Sequence, residues 1–276
     1  MDIARITFIG CGNMGRSLIG GLLANGYPPD SMCGSDINTE NRQLTNEMHA
    51  GITVMQDNIE AIKMSDVVVL AVKPQVVKEL LIQLSETLQQ ERPLLISIAA
   101  GIRLIDLDRW AGGGQAIVRA MPNSPALIKT GATALIANAN VSADQLNIAE
   151  TIMRSVGLVV WLDNESLMDT VTALSGSGPA YYFLLMEIME KAAMRLGLPQ
   201  EQARILTLET ALGAARIALE SEHDPATLRQ QVTSQGGTTE QALNVLLAGG
   251  IEQLFDQALT AAKERSVELA KTLGSE

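Results

Sequence analysis

Apolar residues follow two different rhythms along the chain. Up to about residue 163, short apolar runs alternate with amphipathic stretches. Ile6-Thr7-Phe8-Ile9 reads as a buried strand, 14–25 as a helix, 31–35 as a second strand and 39–49 as a second helix. Val54 sits on another short strand. Val67-Val68-Val69-Leu70-Ala71-Val72 is uncharged and mostly β-branched, the pattern of a parallel strand covered on both faces. A helix over 75–89 and a strand over 94–98 follow. Short strands are then expected at 117–118 and 134–136, a helix at 143–155 and a last strand at 157–162. This βα alternation predicts a doubly wound, mostly parallel sheet.

Beyond residue 164 only helical periodicity remains, over roughly 165–173, 177–196, 200–221, 225–233, 238–247 and 251–272. The breaks fall where helices stop and start: Gly197-Leu198-Pro199, Asp224-Pro225 and Gly249-Gly250. The predicted division is therefore 1–163 as an α/β domain and 164–276 as an all-helical one. Helix 177–196 is apolar nearly all round, with Tyr181, Tyr182, Phe183, Leu184, Leu185, Ile188 and Met189. So small a helical domain has too little of itself to cover it, and a subunit interface is expected there. The same helix carries Glu187, Glu190, Lys191 and Arg195, which exclude a membrane span.

Composition narrows the function classes. The formal net charge of −11 sets the surface against nucleic acid and anionic membranes. An anionic cofactor must then find its positive potential locally, at helix N-termini and a few basic side chains. Two cysteines, Cys11 and Cys33, are too few for a disulfide scaffold. The opening residues run straight into a strand without a signal peptide, and a reducing, cytoplasmic setting is expected.

Gly10-Cys11-Gly12-Asn13-Met14-Gly15 fits G-x-G-x-x-G, with a strand before it and a helix after it. In that context it is a dinucleotide fingerprint: a tight turn at Gly10, close approach to the pyrophosphate at Gly12, and helix–strand packing at Gly15. The first domain is thus read as a Rossmann domain. Asp36, at the end of the second strand, stands where a carboxylate takes the ribose hydroxyls of NADH and repels the phosphate of NADPH. Ser35, Asn38 and Asn58, with Arg42 nearby, offer instead a ring for that phosphate, so NADPH or NADH remain open. Three more loops lie at the same sheet edge: Ala71-Val72-Lys73-Pro74, where Lys73 can reach the cofactor; Ser97-Ile98-Ala99-Ala100-Gly101, flat enough for a nicotinamide; and Met121-Pro122-Asn123-Ser124-Pro125, where Asn123 offers an amide.

Two loops in the helical half look unlike packing. Leu174-Ser175-Gly176-Ser177-Gly178-Pro179-Ala180 feeds the apolar helix. Ser234-Gln235-Gly236-Gly237-Thr238-Thr239 opens another helix, where glycine amides and a helix N-terminus can receive a carboxylate without an arginine. The plainer alternative is a helix cap, with Thr238 as N-cap and Gln241 three residues on.

Through the Gly10–Gly15 fingerprint, Ala71–Pro74, Met121–Pro125, and Ser175–Ala180 combined with Ser234–Thr239, the chain resembles the pyrroline-5-carboxylate reductases along almost its whole length. It departs at Gln235, where many relatives carry proline, and at Asp36. The resemblance implies NAD(P)H-dependent reduction of the cyclic imine 1-pyrroline-5-carboxylate to L-proline. It implies that Ser234, Gly236, Gly237, Thr238 and Ser177 bind the imino acid, and that Thr239 hydrogen-bonds its ring nitrogen. It further implies cofactor contacts from Ser35, Asn58, Lys73 and the Ala99-Ala100 loop, a homodimer through the helical domain, and assembly into a decamer. Two other readings stay in view: a β-hydroxyacid dehydrogenase, for which Lys191 is the candidate lysine, and a non-catalytic NAD(P) sensor. His49 and His223 sit on polar stretches and are expected at the surface.

Overall fold

The computed structural model describes residues 3–275. Met1 and Asp2, which open the stretch expected to lack a signal peptide, lie outside the described residues. The chain forms two compact units: residues up to 177 together with those from 262 onward, and residues 178–261.

The first unit is an eight-stranded sheet with strands β1 (Ile6–Ile9), β2 (Met32–Ser35), β3 (Thr53–Met55), β4 (Val67–Leu70), β5 (Leu94–Ser97), β6 (Ile117–Met121), β7 (Gly131–Ala137) and β8 (Gly157–Trp161). Their order is β3-β2-β1-β4-β5-β6-β7-β8, and every neighbouring pair is parallel except β6 with β7. The helices are α1 (Asn13–Ala24), α2 (Thr39–Met48), α3 (Asn58–Lys63), α4 (Pro74–Glu91), α5 (Leu104–Trp110) and α6 (Ala143–Arg154), followed by the single turn α7 (Met168–Val171). This is the Rossmann-type α/β architecture that the pattern predicts.

Alternation explains why the strands read as unbroken apolar runs. Ile6, Phe8, Val67, Val69, Leu94 and Ile96 face one core with Leu18 and Ile19 of α1 and Ile152 of α6. Ile9, Val68, Leu70 and Leu95 face the other, with Ile62 of α3, Leu81 of α4 and Leu107 of α5. Both faces of the central strands are dry, so most positions along them are apolar. Each fully buried Val or Leu contributes about 1.5–3 kcal/mol relative to exposure. The exception on β1 is Thr7, whose hydroxyl bonds the Ala61 carbonyl and Ser65 inside the core.

The departures from expectation are local. Strand β4 stops at Leu70, and the amide of Ala71 makes one last ladder bond to the Ile9 carbonyl. The helices α3 and α5 have no counterpart in the expected pattern. Where periodicity predicts one helix over 165–173, the chain has a 3₁₀ turn at Glu165–Leu167, then α7, then a π-helical turn at Thr172–Gly176. The apolar pattern divides the chain at 163/164, whereas packing divides it after residue 177. Met168 is fully buried in the sheet's second core, and Leu273 packs there as well. The end of the last helix is fixed by bonds from Ser266 to Asp169 and from Arg109 to the Gly274 carbonyl.

The second unit consists of α8 (Gly178–Arg195), α9 (Gln200–Glu220), α10 (Pro225–Gln231), α11 (Thr238–Ala248) and the start of α12 (Ile251–Ser275). It has almost no interior. Tyr182, Phe183, Ile188, Leu212, Val245 and Leu254 are all more than half exposed in the single chain.

Candidate active site

In the first unit the candidate residues collect at the C-terminal edge of β1, β2 and β4. Strand β1 pairs β2 on one side and β4 on the other, so this is the point where the sheet order reverses and dinucleotide crevices form. The three fingerprint glycines differ in what a side chain would meet. At Gly10, held at φ +97°, a Cβ would lie 2.6 Å from the Ala71 carbonyl oxygen. At Gly15 a Cβ would overlap the Gly10 carbonyl oxygen. At Gly12 it would meet no protein atom within 4 Å. Gly10 and Gly15 thus serve the fold, while the room at Gly12 suits a pyrophosphate drawn up to the backbone. Gly12 is also the N-cap of α1, and no side chain caps that helix. Helices α2, α3, α6 and α10, in contrast, are capped by Asn38, Asp57, Ser142 and Asp224. The first amides of α1 are left for an anion. On these grounds the loop fits a dinucleotide.

Around it the pieces are tied together. The Gly10 amide donates to the Ser35 carbonyl at 2.8 Å. The Ser35 hydroxyl, fully buried, donates to Asn58 Oδ1 at 2.6 Å, which brings together two residues chosen from the sequence. Asp36 accepts three bonds from the protein itself: the Cys11 amide at 2.8 Å, the Asn38 amide at 2.8 Å and Asn41 Nδ2 at 2.9 Å. Its carboxylate therefore locks the glycine turn to the end of β2 and the start of α2. Arg42 donates to the carbonyls of Asp36 and Ile37. Gly10, Ser35, Asp36, Asn58, Val72 and Val76 line a cavity of about 260 Å³.

The remaining candidates sit on the same edge with unequal commitments. Cys11 is buried, and burial pushes its thiol up to about 11, which keeps it a neutral packing residue. Cys33 is raised for the same reason. Asn13 begins α1 and accepts from Arg16, and Met14 packs on the first core. Ala71 abuts Gly10, and Lys73 is the exposed N-cap of α4, followed by Pro74. Ala99 is buried and Ala100 half-buried, so that loop presents no bulky side chain. Asn123 is turned inward, toward Ala132 and Ser175. The residue missed from sequence is Arg16, which bonds the Cys11 carbonyl, Asn13 and Asn41 and shares a second cavity with Lys129. Its place directly after Gly15 is a readable signal for the local positive charge that an acidic chain needs.

In the second unit the candidate loop joins α10 to α11. Gly236 adopts φ +72°, and Gly237, the N-cap of α11, has no side-chain cap. The cap reading with Thr238 as N-cap is therefore displaced by one residue: Thr238 is the first residue of the helix. The loop uses its first amides internally. The Gly236 amide donates to Glu240 at 2.7 Å and the Gly237 amide to the Ser234 carbonyl at 3.0 Å. Among the described residues, the first-turn amides of Thr238 and Thr239 are left without a partner, since no helix can satisfy them from within. A Cβ at Gly237 would lie 2.5 Å from Ser234 Oγ, so the tight turn requires glycine there. Thr239 is half-buried, and its hydroxyl has no hydrogen-bond partner among the described residues. Ser177 lies in the first unit, its amide closing the π-turn on the Thr172 carbonyl at 2.8 Å.

Other chemistry finds little footing. Lys191 is paired with Glu187 on the surface of α8. Both histidines are exposed. Among the described residues no cluster of His, Cys, Asp and Glu could hold a metal, and no helix is long and apolar enough to cross a membrane.

Residues 165–269 match a family model described as pyrroline-5-carboxylate reductase dimerisation, and residues 5–101 one described as NADP oxidoreductase, coenzyme F420-dependent. The chain is 50% identical over 275 residues to the pyrroline-5-carboxylate reductase of Pseudomonas aeruginosa, covering 99% of this chain and 100% of that one. Its structure is similar to that of a pyrroline-5-carboxylate reductase from Coxiella burnetii, with a TM-score of 0.94, 48% identity, and coverage of 98% of this chain and 100% of that chain. It is also similar to the Plasmodium falciparum pyrroline carboxylate reductase with NADP bound, with a TM-score of 0.85, 29% identity, and coverage of 98% and 99%. With half of all positions shared end to end with the Pseudomonas enzyme, the chain belongs to the pyrroline-5-carboxylate reductase family.

Proposed function

We infer that this protein reduces 1-pyrroline-5-carboxylate to L-proline with NADPH or NADH, the last step of proline synthesis. The observation that carries the inference is the full-length identity with the Pseudomonas enzyme, which spans both the glycine fingerprint and the Ser234–Thr239 turn. NAD(P)H, when bound, supplies the hydride that adds to the C=N carbon. The chain's own residues do the rest. Gly12, Asn13, Met14 and Gly15, at the start of α1, present backbone amides to the pyrophosphate, Gly10 and Cys11 shape the turn that brings it there, and Arg16 adds charge beside them. Ser35, Asp36 and Asn58 border the ribose, Ala71 and Lys73 flank the phosphates, and the Ala99-Ala100 backbone supports the flat nicotinamide.

The imino acid's carboxylate is received at the uncapped start of α11 by the Thr238 and Thr239 amides, in a turn shaped by Ser234, Gly236 and Gly237. Partial positive charge at a helix N-terminus suits that anion. Ser177 contributes a hydroxyl to the same substrate. A protonated imine is already an electrophile, so no strong acid is required; orientation supplies most of the rate. The Thr239 hydroxyl holds the ring nitrogen while it becomes an amine. The acidic surface and the absence of a spanning helix among the described residues accord with a cytoplasmic enzyme. Two chains pair through the helical unit, whose apolar side chains lie open in one copy, and these dimers assemble further into decamers.

The direct test follows the oxidation of NADPH and NADH separately on addition of the cyclic imine; no oxidation of either removes the assignment. A lost hydrogen bond to the developing amine costs about 1.5–3 kcal/mol, so Thr239→Ala lowers kcat roughly 10- to 100-fold. Thr239→Ser recovers most of that loss, and calorimetric NADPH affinity stays unchanged in both. Wild-type turnover in Thr239→Ala removes the residue from the mechanism.

A further inference from the structure

Asn123 follows β6 at the edge where the cofactor loops gather, and its amide is spent within the protein. Its Oδ1 accepts the Ala132 amide at 2.9 Å, where β7 begins. Its Nδ2 donates to both the carbonyl oxygen and the hydroxyl of Ser175 at 3.3 Å. Ser175 lies 52 residues further on, inside the π-helical turn Thr172–Gly176. Two residues before Asn123, the Met121 side chain presses on the same turn: a Cβ at Gly176 would overlap Met121 Cε. The turn closes when the Ser177 amide bonds the Thr172 carbonyl at 2.8 Å. A π-turn is a poorer packing of the backbone than an α-turn and persists where something outside it holds it. Here the outside hold is the end of β6, through Met121, and the loop that follows it, through the Asn123 amide.

We propose that Asn123 is a positioning residue for the imino acid: it fixes the Ser175-Gly176-Ser177 segment so that Ser177 meets the substrate, and it does not grip the cofactor. The proposal rests on the reading of Ser177 as a substrate contact. Both polar ends of the Asn123 side chain face protein partners, so its orientation is set by Ala132 and Ser175. Ser175 takes the bond through its carbonyl as well as its hydroxyl, so what is held is the course of the backbone.

Two substitutions separate the roles. Asn123→Ala removes both bonds without adding charge. Asn123→Asp keeps an acceptor for the Ala132 amide and removes the donor to Ser175. Thermal unfolding confirms that each variant is folded. Each is expected to raise KM for the cyclic imine about tenfold, with kcat within about threefold of the unmodified chain. NADPH affinity of the Ala variant, measured by calorimetry without substrate, is expected to stay within about twofold. Weakened NADPH affinity in the Ala variant with an unchanged imine KM makes Asn123 a cofactor contact and overturns the proposal. A wild-type imine KM in Asn123→Asp overturns it too, since the donor to Ser175 is then idle. Turnover of the unmodified chain reports on the reaction itself, whereas the ratio of variant to unmodified constants reports on Asn123.

Discussion

A single added methyl group has opposite consequences at Gly12 and Gly15. At Gly15 it would strike the Gly10 carbonyl and force α1 away from β1. Overpacking of this kind costs about 1–3 kcal/mol. Gly15→Ala is thus expected to lower the denaturant midpoint and cofactor affinity together. At Gly12 the same methyl meets no protein atom within 4 Å, so the fold should not register it. Gly12→Ala is expected to leave the unfolding midpoint unchanged and to weaken NADPH binding at least tenfold by calorimetry. Equal loss of stability in both variants would show that Gly12 serves packing after all. The spacing G-x-G-x-x-G announces a glycine at each position but not which of them answers to the ligand. That distinction needs the neighbours: the Gly10 carbonyl for Gly15, and for Gly10 the Ala71 carbonyl just after β4. Asp36 is a similar case. Its position is legible from the sequence, while its three internal bonds depend on how Cys11, Asn38 and Asn41 converge.

Among the elements, the tie between the sheet and the 3₁₀ turn Glu165–Leu167 rests on Arg119 of β6. Its side chain is 4% exposed and pairs with Glu165 at 2.8 Å; Glu165 also accepts the Leu104 amide at the start of α5. One guanidinium nitrogen, Nη2, has no hydrogen-bond partner among the described residues. Glu165→Ala leaves a buried cation uncompensated and an open helix start, at a cost of about 3–5 kcal/mol. Arg119→Leu leaves a partly exposed carboxylate that still holds the Leu104 amide, and it should cost clearly less by chemical denaturation. The reverse order would mean that the carboxylate, not the cation, is the strained partner. Such long-range ties also decide what the sequence conceals at this scale. The strands declare themselves because both sheet faces are dry, and the long helices because Pro and Gly punctuate them. Helices α3 and α5 span only 6 and 7 residues, too few for a periodicity to show, and α5 is held at its start by Glu165. The π-turn before α8 is hidden for a different reason: a search for a 3.6-residue repeat runs straight through it. The start of α11 is legible to within one residue, with Gly237 rather than Thr238 as the cap.

At the scale of the whole molecule, charge and apolar surface divide the labour. Against a net charge of −11, Arg16 and the start of α1 supply positive potential locally, where the dinucleotide needs it. The helical unit carries the opposite signature, with Phe183, Leu184 and Ile188 of α8 and Leu212 of α9 all more than half exposed in one chain. Exposed apolar faces of this extent mark an interface. Ile188→Glu places a charge on that face and is expected to shift the protein to monomers in sedimentation velocity, with loss of activity. An unchanged sedimentation coefficient would move the interface elsewhere. The division into a sheet and a helical half was legible because strand signals stop near residue 163. The return of the last helix to the sheet was not, since Leu273 and Gly274 find partners more than 100 residues upstream.

The near-absence of an interior in the helical unit has one more consequence. On the proposed pairing, a freshly synthesised chain carries its greasiest helices bare until it meets a sister copy, so its survival depends on how crowded it is with its own kind. Its thermal endurance becomes a property of the population, rising with abundance and fading on dilution.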